Sequence, residues 1–158
     1  MRIRVATPGD AGAVLGCLQA AFEPYRTSYT PDAYHDTTLT PEAFDARLRS
    51  MSVLVAVTES GDIVGTLSFH MISERVGHLR GVAVSPTWQR AGVAEALLAY
   101  AERELLSGGC DRVSLDTTEP LRQAVQFYTK HGYRFTGRVT EFFGMPLYQY
   151  EKPLTMAE

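Results

Sequence analysis

The sequence predicts an α/β protein built on a mixed β-sheet, and three observations lead to that class. Stretches in which apolar and polar residues alternate, as on a half-buried strand, are interleaved with stretches whose apolar residues recur at helical spacing. The resulting order, βααβββαβαββ, belongs to α/β architectures. No repeat, low-complexity tract or composition break interrupts the 158 residues, so one domain spanning 1–158 is expected, long enough to bury its own core.

Each element has a local reason. Ile3-Arg4-Val5 alternates as a strand does. Thr7-Pro8-Gly9-Asp10 reads as a helix start, with Thr7 as cap, Pro8 at the first helical position and Asp10 reaching back. Val14, Leu18 and Phe22 follow on one side, with Leu15 beside them. Residues 25–39 show neither period and are expected to be a loop or irregular helix, rich in tyrosine. Thr40-Pro41-Glu42 opens a second helix that turns Phe44 and Leu48 inward.

Ser52–Thr58 and Asp62–Met71 are β-rich and flank a Glu59-Ser60-Gly61-Asp62 turn, which predicts an antiparallel hairpin. Gly77–Val84 is a further strand. Val93, Leu97, Ala101 and Leu105 line one face of a helix over Val93–Leu106, stopped by Ser107-Gly108-Gly109. Arg112–Asp116 reads as a strand, Leu121–His131 as a helix, and Tyr133–Arg138 and Leu147–Lys152 as the last two strands.

Fifteen Lys and Arg against eighteen Asp and Glu give a net charge of −3, which provides no general attraction to nucleic acid or to an anionic membrane. No apolar run reaches the ~20 residues of a membrane span, and the first residues carry no signal-peptide pattern. Two cysteines, Cys17 and Cys110, make no disulfide framework, and the four histidines lack metal-ligand spacing. The expectation is a soluble, cytoplasmic protein with no metal and neither a nucleic acid nor a membrane as partner.

The chemistry concentrates where Val82-Ala83-Val84-Ser85-Pro86 runs through a short turn into Gln89-Arg90-Ala91-Gly92-Val93-Ala94. A strand ends, and small residues line the mouth of the best helix. The first-turn N–H groups of a helix lack intrahelical partners and lie at its positive end, so the segment reads either as a site for an anion such as a polyphosphate or as a tight strand–helix turn that needs small residues. Neither GxxxxGK[ST] nor GxGxxG is present.

The Gln89–Ala94 hexapeptide resembles the Q/R-x-x-G-x-G/A signature of the Gcn5-related N-acetyltransferase (GNAT) superfamily. Ala124-Val125-Gln126-Phe127-Tyr128-Thr129-Lys130-His131-Gly132-Tyr133 is similar to that family's A-x-x-[FL]-Y-x-K-x-G-[FY] segment. The resemblance implies the GNAT fold with splayed central strands, and acetyl-CoA as co-substrate. It also implies that Val82, Ala83 and Val84 pair with the pantetheine arm, and that the amides of Gln89, Arg90, Ala91, Gly92, Val93 and Ala94 hold the pyrophosphate. A homodimer is a further implication.

By motif position Tyr128 matches the general acid, protonated at neutral pH because a phenol titrates near 10. Asp116 falls where some members place a base, with Glu119, His78 and water as alternatives. Leu121 stands where the family often has a cofactor-binding asparagine. That departure keeps a second reading open, an acyl-CoA-binding module without turnover. The acceptor is expected to be a small-molecule or peptide amine, bound between residues 25–39 and the Glu141-Phe142-Phe143-Gly144 turn, unless that aromatic patch serves instead as a dimer contact. Tyr29 and Phe143 are the named contacts, and Asp32, Asp36 and Glu141 favour a cationic acceptor over an anionic one.

Overall fold

A computed structural model describes residues 1–155. In chain order the elements are β1 (Arg2–Val5), α1 (Ala11–Phe22), α2 (Pro31–Thr38), α3 (Pro41–Ser50), β2 (Ser52–Val57), β3 (Ile63–Met71) and β4 (Val76–Val84), followed by α4 (Val93–Ser107), β5 (Arg112–Thr118), α5 (Arg122–Lys130), β6 (Arg134–Phe142) and β7 (Met145–Pro153). Among the described residues no helix is long and apolar enough to cross a membrane.

The sheet is mixed, as the sequence predicts. Its seven strands run β1-β2-β3-β4-β5-β7-β6, with β4 and β5 parallel and every other pair antiparallel. The capping residues predicted before α1 act as expected: Asp10 accepts from the Thr7 N–H at 2.8 Å, and Arg4 binds the same carboxylate at 2.8 Å.

Residues 25–39 are more ordered than the sequence suggests. A 3-10 turn over Glu23–Ser28 leads into α2, whose start is fixed by Thr30 accepting from Ala33 N–H and by Pro31 at the first position. The buried face of α2 consists of Ala33 and Thr38, so its helical period carries little hydrophobic signal. The Thr37 and Thr38 hydroxyls donate to the carbonyls one turn back, which hides their polarity.

One sheet face packs on α4. Leu97, Ala101 and Leu105 meet Leu54, Leu67, Leu79, Val113 and Leu115, all essentially inaccessible. The close approach needs Gly77, because a Cβ there would lie 2.6 Å from the Leu105 side chain. The other face carries α1 and α3, with Val14, Leu18 and Phe44 against Val53 and Val55. Each of these large side chains contributes roughly 2 kcal/mol of hydrophobic stabilisation.

The central strands splay, as the family resemblance implies. β4 and β5 pair only from Val76↔Arg112 to Leu79↔Leu115. Beyond that point the β3–β4 register slips between Thr66 and Ser68, and Gly81 takes φ +66°. A bulge of this kind bends its strand and increases the local twist. β4 continues to Val84 and β5 to Thr118 with no ladder between them, which opens a gap in the middle of the sheet.

Candidate active site

The gap leads on one side to a cavity of about 560 Å³ at the mouth of α4. Ser85 N–H donates to Val64 on β3 at 2.8 Å. Strand alternation therefore turns the backbone groups of Val84 and Val82 to the unpaired edge, and those of Ala83 toward β3. The Val84 carbonyl accepts from Gln89 Nε2 at 3.1 Å, which braces the turn. Arg90 and Gly92 both adopt positive φ, 65° and 84°, and a Cβ on Gly92 would meet nothing within 4 Å. Among the described residues the amides of 90–95 find no acceptor, whereas Ala96 N–H closes the first helical bond onto Gly92. Consecutive free amides beside left-handed residues, at the positive end of a 15-residue helix, present an array of donors of the kind that suits an anion.

The gap opens on its other side into a second cavity, of about 370 Å³. Its chemistry comes from strand alternation. Val113 and Leu115 point into the α4 core, so Ser114, Asp116 and Thr118 face the opposite side, as do His78 and Arg80 on β4. His78 Nδ1 lies 2.8 Å from Ser114 Oγ, and the Ser114 hydroxyl is 3.4 Å from the Gly77 carbonyl. With Ser114 donating to that carbonyl, Nδ1–H donates to Oγ and Nε2 keeps its lone pair. Nε2 lies 3.6 Å from Asp116 Oδ2. Burial holds the His78 pKa below the usual imidazole value, the Asp116 carboxylate opposing this. The side chain is therefore neutral at neutral pH, with an acidic partner ready for its cation.

Tyr128 stands where the two cavities meet and lines both, together with Val82, Leu121 and Ala124. Its ring packs edge-on against Phe127 at 5.5 Å and Tyr133 at 5.7 Å. The hydroxyl has no hydrogen-bond partner among the described residues. Burial raises its pKa well above the ordinary phenol range, so it is a proton donor throughout the neutral range.

The candidates from sequence distribute as follows. Val82, Val84, Gln89, Arg90, Gly92, Val93 and Ala94 line the first cavity. Ala83 also lines it, although its side chain is packed in the α1 core, whereas Ala91 does not. Asp116 and His78 share the second cavity, and Glu119 is exposed outside it. Tyr29 lines the second cavity and its hydroxyl bonds Thr118 Oγ1 at 2.6 Å. Phe143 points away, half exposed on the turn, and Phe142 lines the cavity in its place. The turn does abut α2, since Thr30 donates to the Phe143 carbonyl at 2.6 Å. Asp32 and Glu141 stay outside, so Asp36 is the one carboxylate of the three expected that reaches the cavity. Arg47, Arg80 and His70 also line it and were missed. Arg47 carries a legible signal, a charge three residues after Phe44 on the inward helix face.

The gap in the sheet thus lies between free helix amides on one side and an imidazole–carboxylate pair on the other. The sequence matches the acetyltransferase (GNAT) family over residues 15–133. It is 32% identical over 154 residues to aminoglycoside N(6')-acetyltransferase type 1 of Stenotrophomonas maltophilia, covering 92% of this chain and 93% of that protein. Over 80 residues it is 30% identical to aminoalkylphosphonate N-acetyltransferase of Salmonella typhimurium, covering 48% of this chain and 52% of that one. The solved structure of a GNAT-family acetyltransferase from Staphylococcus aureus superposes with a TM-score of 0.79 at 17% identity, over 98% of this chain and 99% of that one. The chain belongs to the GNAT family of acetyltransferases, which in general use acetyl-CoA as co-substrate.

Proposed function

We propose that this enzyme transfers the acetyl group of acetyl-CoA directly to a primary amine of a small molecule, with Tyr128 as general acid and the Asp116–His78 pair accepting the amine proton. The observation that carries the reading is the position of Tyr128, on the shared wall of an anion-binding cavity and a cavity with a neutral imidazole. The free amides of 90–95 suit the diphosphate of the co-substrate, and the unpaired edge at Val82 and Val84 suits its amide-bearing arm.

Acetyl-CoA supplies an activated thioester carbonyl. The chain's part is to hold, orient and move protons. Val82 N–H, on the open strand edge between the cavities, hydrogen-bonds the carbonyl oxygen as it gains charge. His78 Nε2 takes a proton from the incoming ammonium, and Asp116 stabilises the resulting imidazolium. As the nitrogen–carbon bond forms and the carbon–sulfur bond breaks, the Tyr128 hydroxyl gives its proton to the departing thiolate, the acylated nitrogen releases its second proton to solvent, and Tyr128 is reprotonated from solvent. Tyr29 and Phe142 wall the acceptor side.

An amine-library screen with acetyl-CoA, read by thiol release and mass spectrometry of the products, tests the reading. N-acetylated products that Tyr128→Phe suppresses support it. Saturable acetyl-CoA binding without amine-dependent release favours the binding-module alternative, for which Leu121 at the mouth of α5 is the specific observation.

A further inference from the structure

The second cavity contains a charge that the transfer mechanism does not use. Arg47 sits on the inward face of α3, between Phe44 and Leu48, and only 9% of its surface is exposed. Among the described residues its guanidinium forms no ion pair and no side-chain hydrogen bond. The two carboxylates that line the cavity are otherwise placed: Asp36 accepts from Arg80 at 3.1 Å, and Asp116 faces His78 at 3.6 Å. Burial, and secondarily the neighbouring Arg80, lower the Arg47 pKa to about 10 against the opposing field of the Asp36 carboxylate, so the group is still charged at neutral pH. An unpaired buried cation is costly and persists only where something else requires it.

The backbone also makes room for it. A Cβ at Gly81 would lie 2.6 Å from Arg47 Nη1, so any side chain at the β4 bulge would contest the space of the guanidinium. The same bulge that opens the sheet therefore seats the arginine against the cavity. His70, the other nearby imidazole, has its pKa lowered, chiefly by burial, so it adds no further positive charge, and it has no anionic form that could neutralise Arg47.

We propose that this cavity selects acceptors that carry an anionic group, a carboxylate or a phosphoryl group, bound by Arg47 while the amine lies toward Asp116 and His78. The inference rests on the acetyl-transfer reading and names its substrate class. It reverses the cationic preference drawn from Asp32, Asp36 and Glu141, because the structure leaves two of those outside and pairs the third with Arg80. An amine without an anionic group would leave Arg47 desolvated and unpaired, whereas a bidentate carboxylate or phosphoryl group satisfies its planar fork.

The test compares matched amines, glycine with glycinamide and phosphoethanolamine with ethanolamine, in the wild type, Arg47→Met and Arg47→Lys. The wild type is expected to favour the anionic member of at least one pair ten-fold or more in kcat/KM, and the pair showing the larger preference assigns carboxylate or phosphoryl. Arg47→Met should erase the preference through the acceptor KM, and Arg47→Lys should restore part of it. A melting series with inorganic phosphate gives a readout independent of turnover. Phosphate should raise the Tm of the wild type and not that of Arg47→Met, which itself should melt no lower than the wild type. Equal rates within both pairs would overturn the inference and leave acetyl transfer standing. If no amine is acetylated, the acetyl-transfer reading fails, and with it the inference, unless phosphate still stabilises the wild type alone. A wild type blind to phosphate with a destabilised Arg47→Met would make Arg47 structural.

Discussion

Gly92→Glu separates the anion cradle from the fold that carries it. Gly92 is the N-cap of α4 at φ +84°, exposed, with nothing within 4 Å of where a Cβ would stand. A glutamate there meets no steric obstacle, so its cost to folding is the left-handed backbone, about 1–2 kcal/mol. Gly92→Ala carries the same strain without the charge and is the control. Against the nearer of the two charges of a diphosphate, roughly 6 Å away, the new carboxylate is repelled by about 2–3 kcal/mol at an effective dielectric near 20, and salt reduces this to about 1.5–2. Acetyl-CoA should therefore bind about 10- to 30-fold more weakly to Gly92→Glu, and within about three-fold of wild type to Gly92→Ala. Calorimetric titration at two salt concentrations measures both, and the deficit should shrink at the higher one. A folded Gly92→Glu protein with wild-type affinity would refute the placement of the diphosphate at this helix mouth.

Tyr128→Phe should lower kcat about 10²-fold or more, with the acetyl-CoA affinity and the melting temperature nearly unchanged, because the hydroxyl bonds nothing among the described residues and the ring contacts to Phe127 and Tyr133 remain. His78 accepts a proton only when neutral, and burial holds its pKa below the usual 6.5, so its protonation should reduce kcat only as pH falls through that lowered value; in His78→Gln this acid limb should vanish along with most of the rate. Asp10 has its pKa pulled down to about 2, chiefly by the Arg4 hydrogen bonds; the stability it contributes is complete above the unfolded value of 3.8 and is lost as pH falls toward 2. Asp10→Asn should accordingly cost about 1–2 kcal/mol in denaturant titrations near neutral pH, and little at pH 2.

The parts of this structure that follow local rules were legible in the sequence. Thr7-Pro8-Gly9-Asp10 and Thr40-Pro41-Glu42 begin helices because their side chains satisfy or omit the first amides. Leu97, Ala101 and Leu105 line α4 because apolar burial imposes a 3.6-residue period. The α4 mouth was legible for a related reason, since the first amides of any helix lack intrahelical acceptors. By contrast, the sequence does not separate helix from loop over α2, because alanine and threonine form its inner face, and their burial leaves almost no hydropathy signal.

The acceptor side depends on tertiary register, which local patterns do not encode. Whether Phe142 or Phe143 enters the cavity depends on the register of one turn, with Phe143 itself at φ 49°. That Asp116 meets His78 requires β4 and β5 to be parallel neighbours in a register that sets His78 against Ser114. Arg47 and Gly81 lie far apart in sequence, and only the bulge in β4 brings the missing side chain of one against the guanidinium of the other.

The most direct test of the account is a crystal structure with an unreactive acetyl-CoA analogue bound. The account predicts the diphosphate on the amides of 90–95, the arm along the open edge at Val82 and Val84, and the thioester-equivalent atom within about 3–3.5 Å of Tyr128 Oη, on the side facing Asp116 and His78. An analogue seated with its diphosphate away from the α4 mouth, or with its acyl end remote from Tyr128, would contradict it.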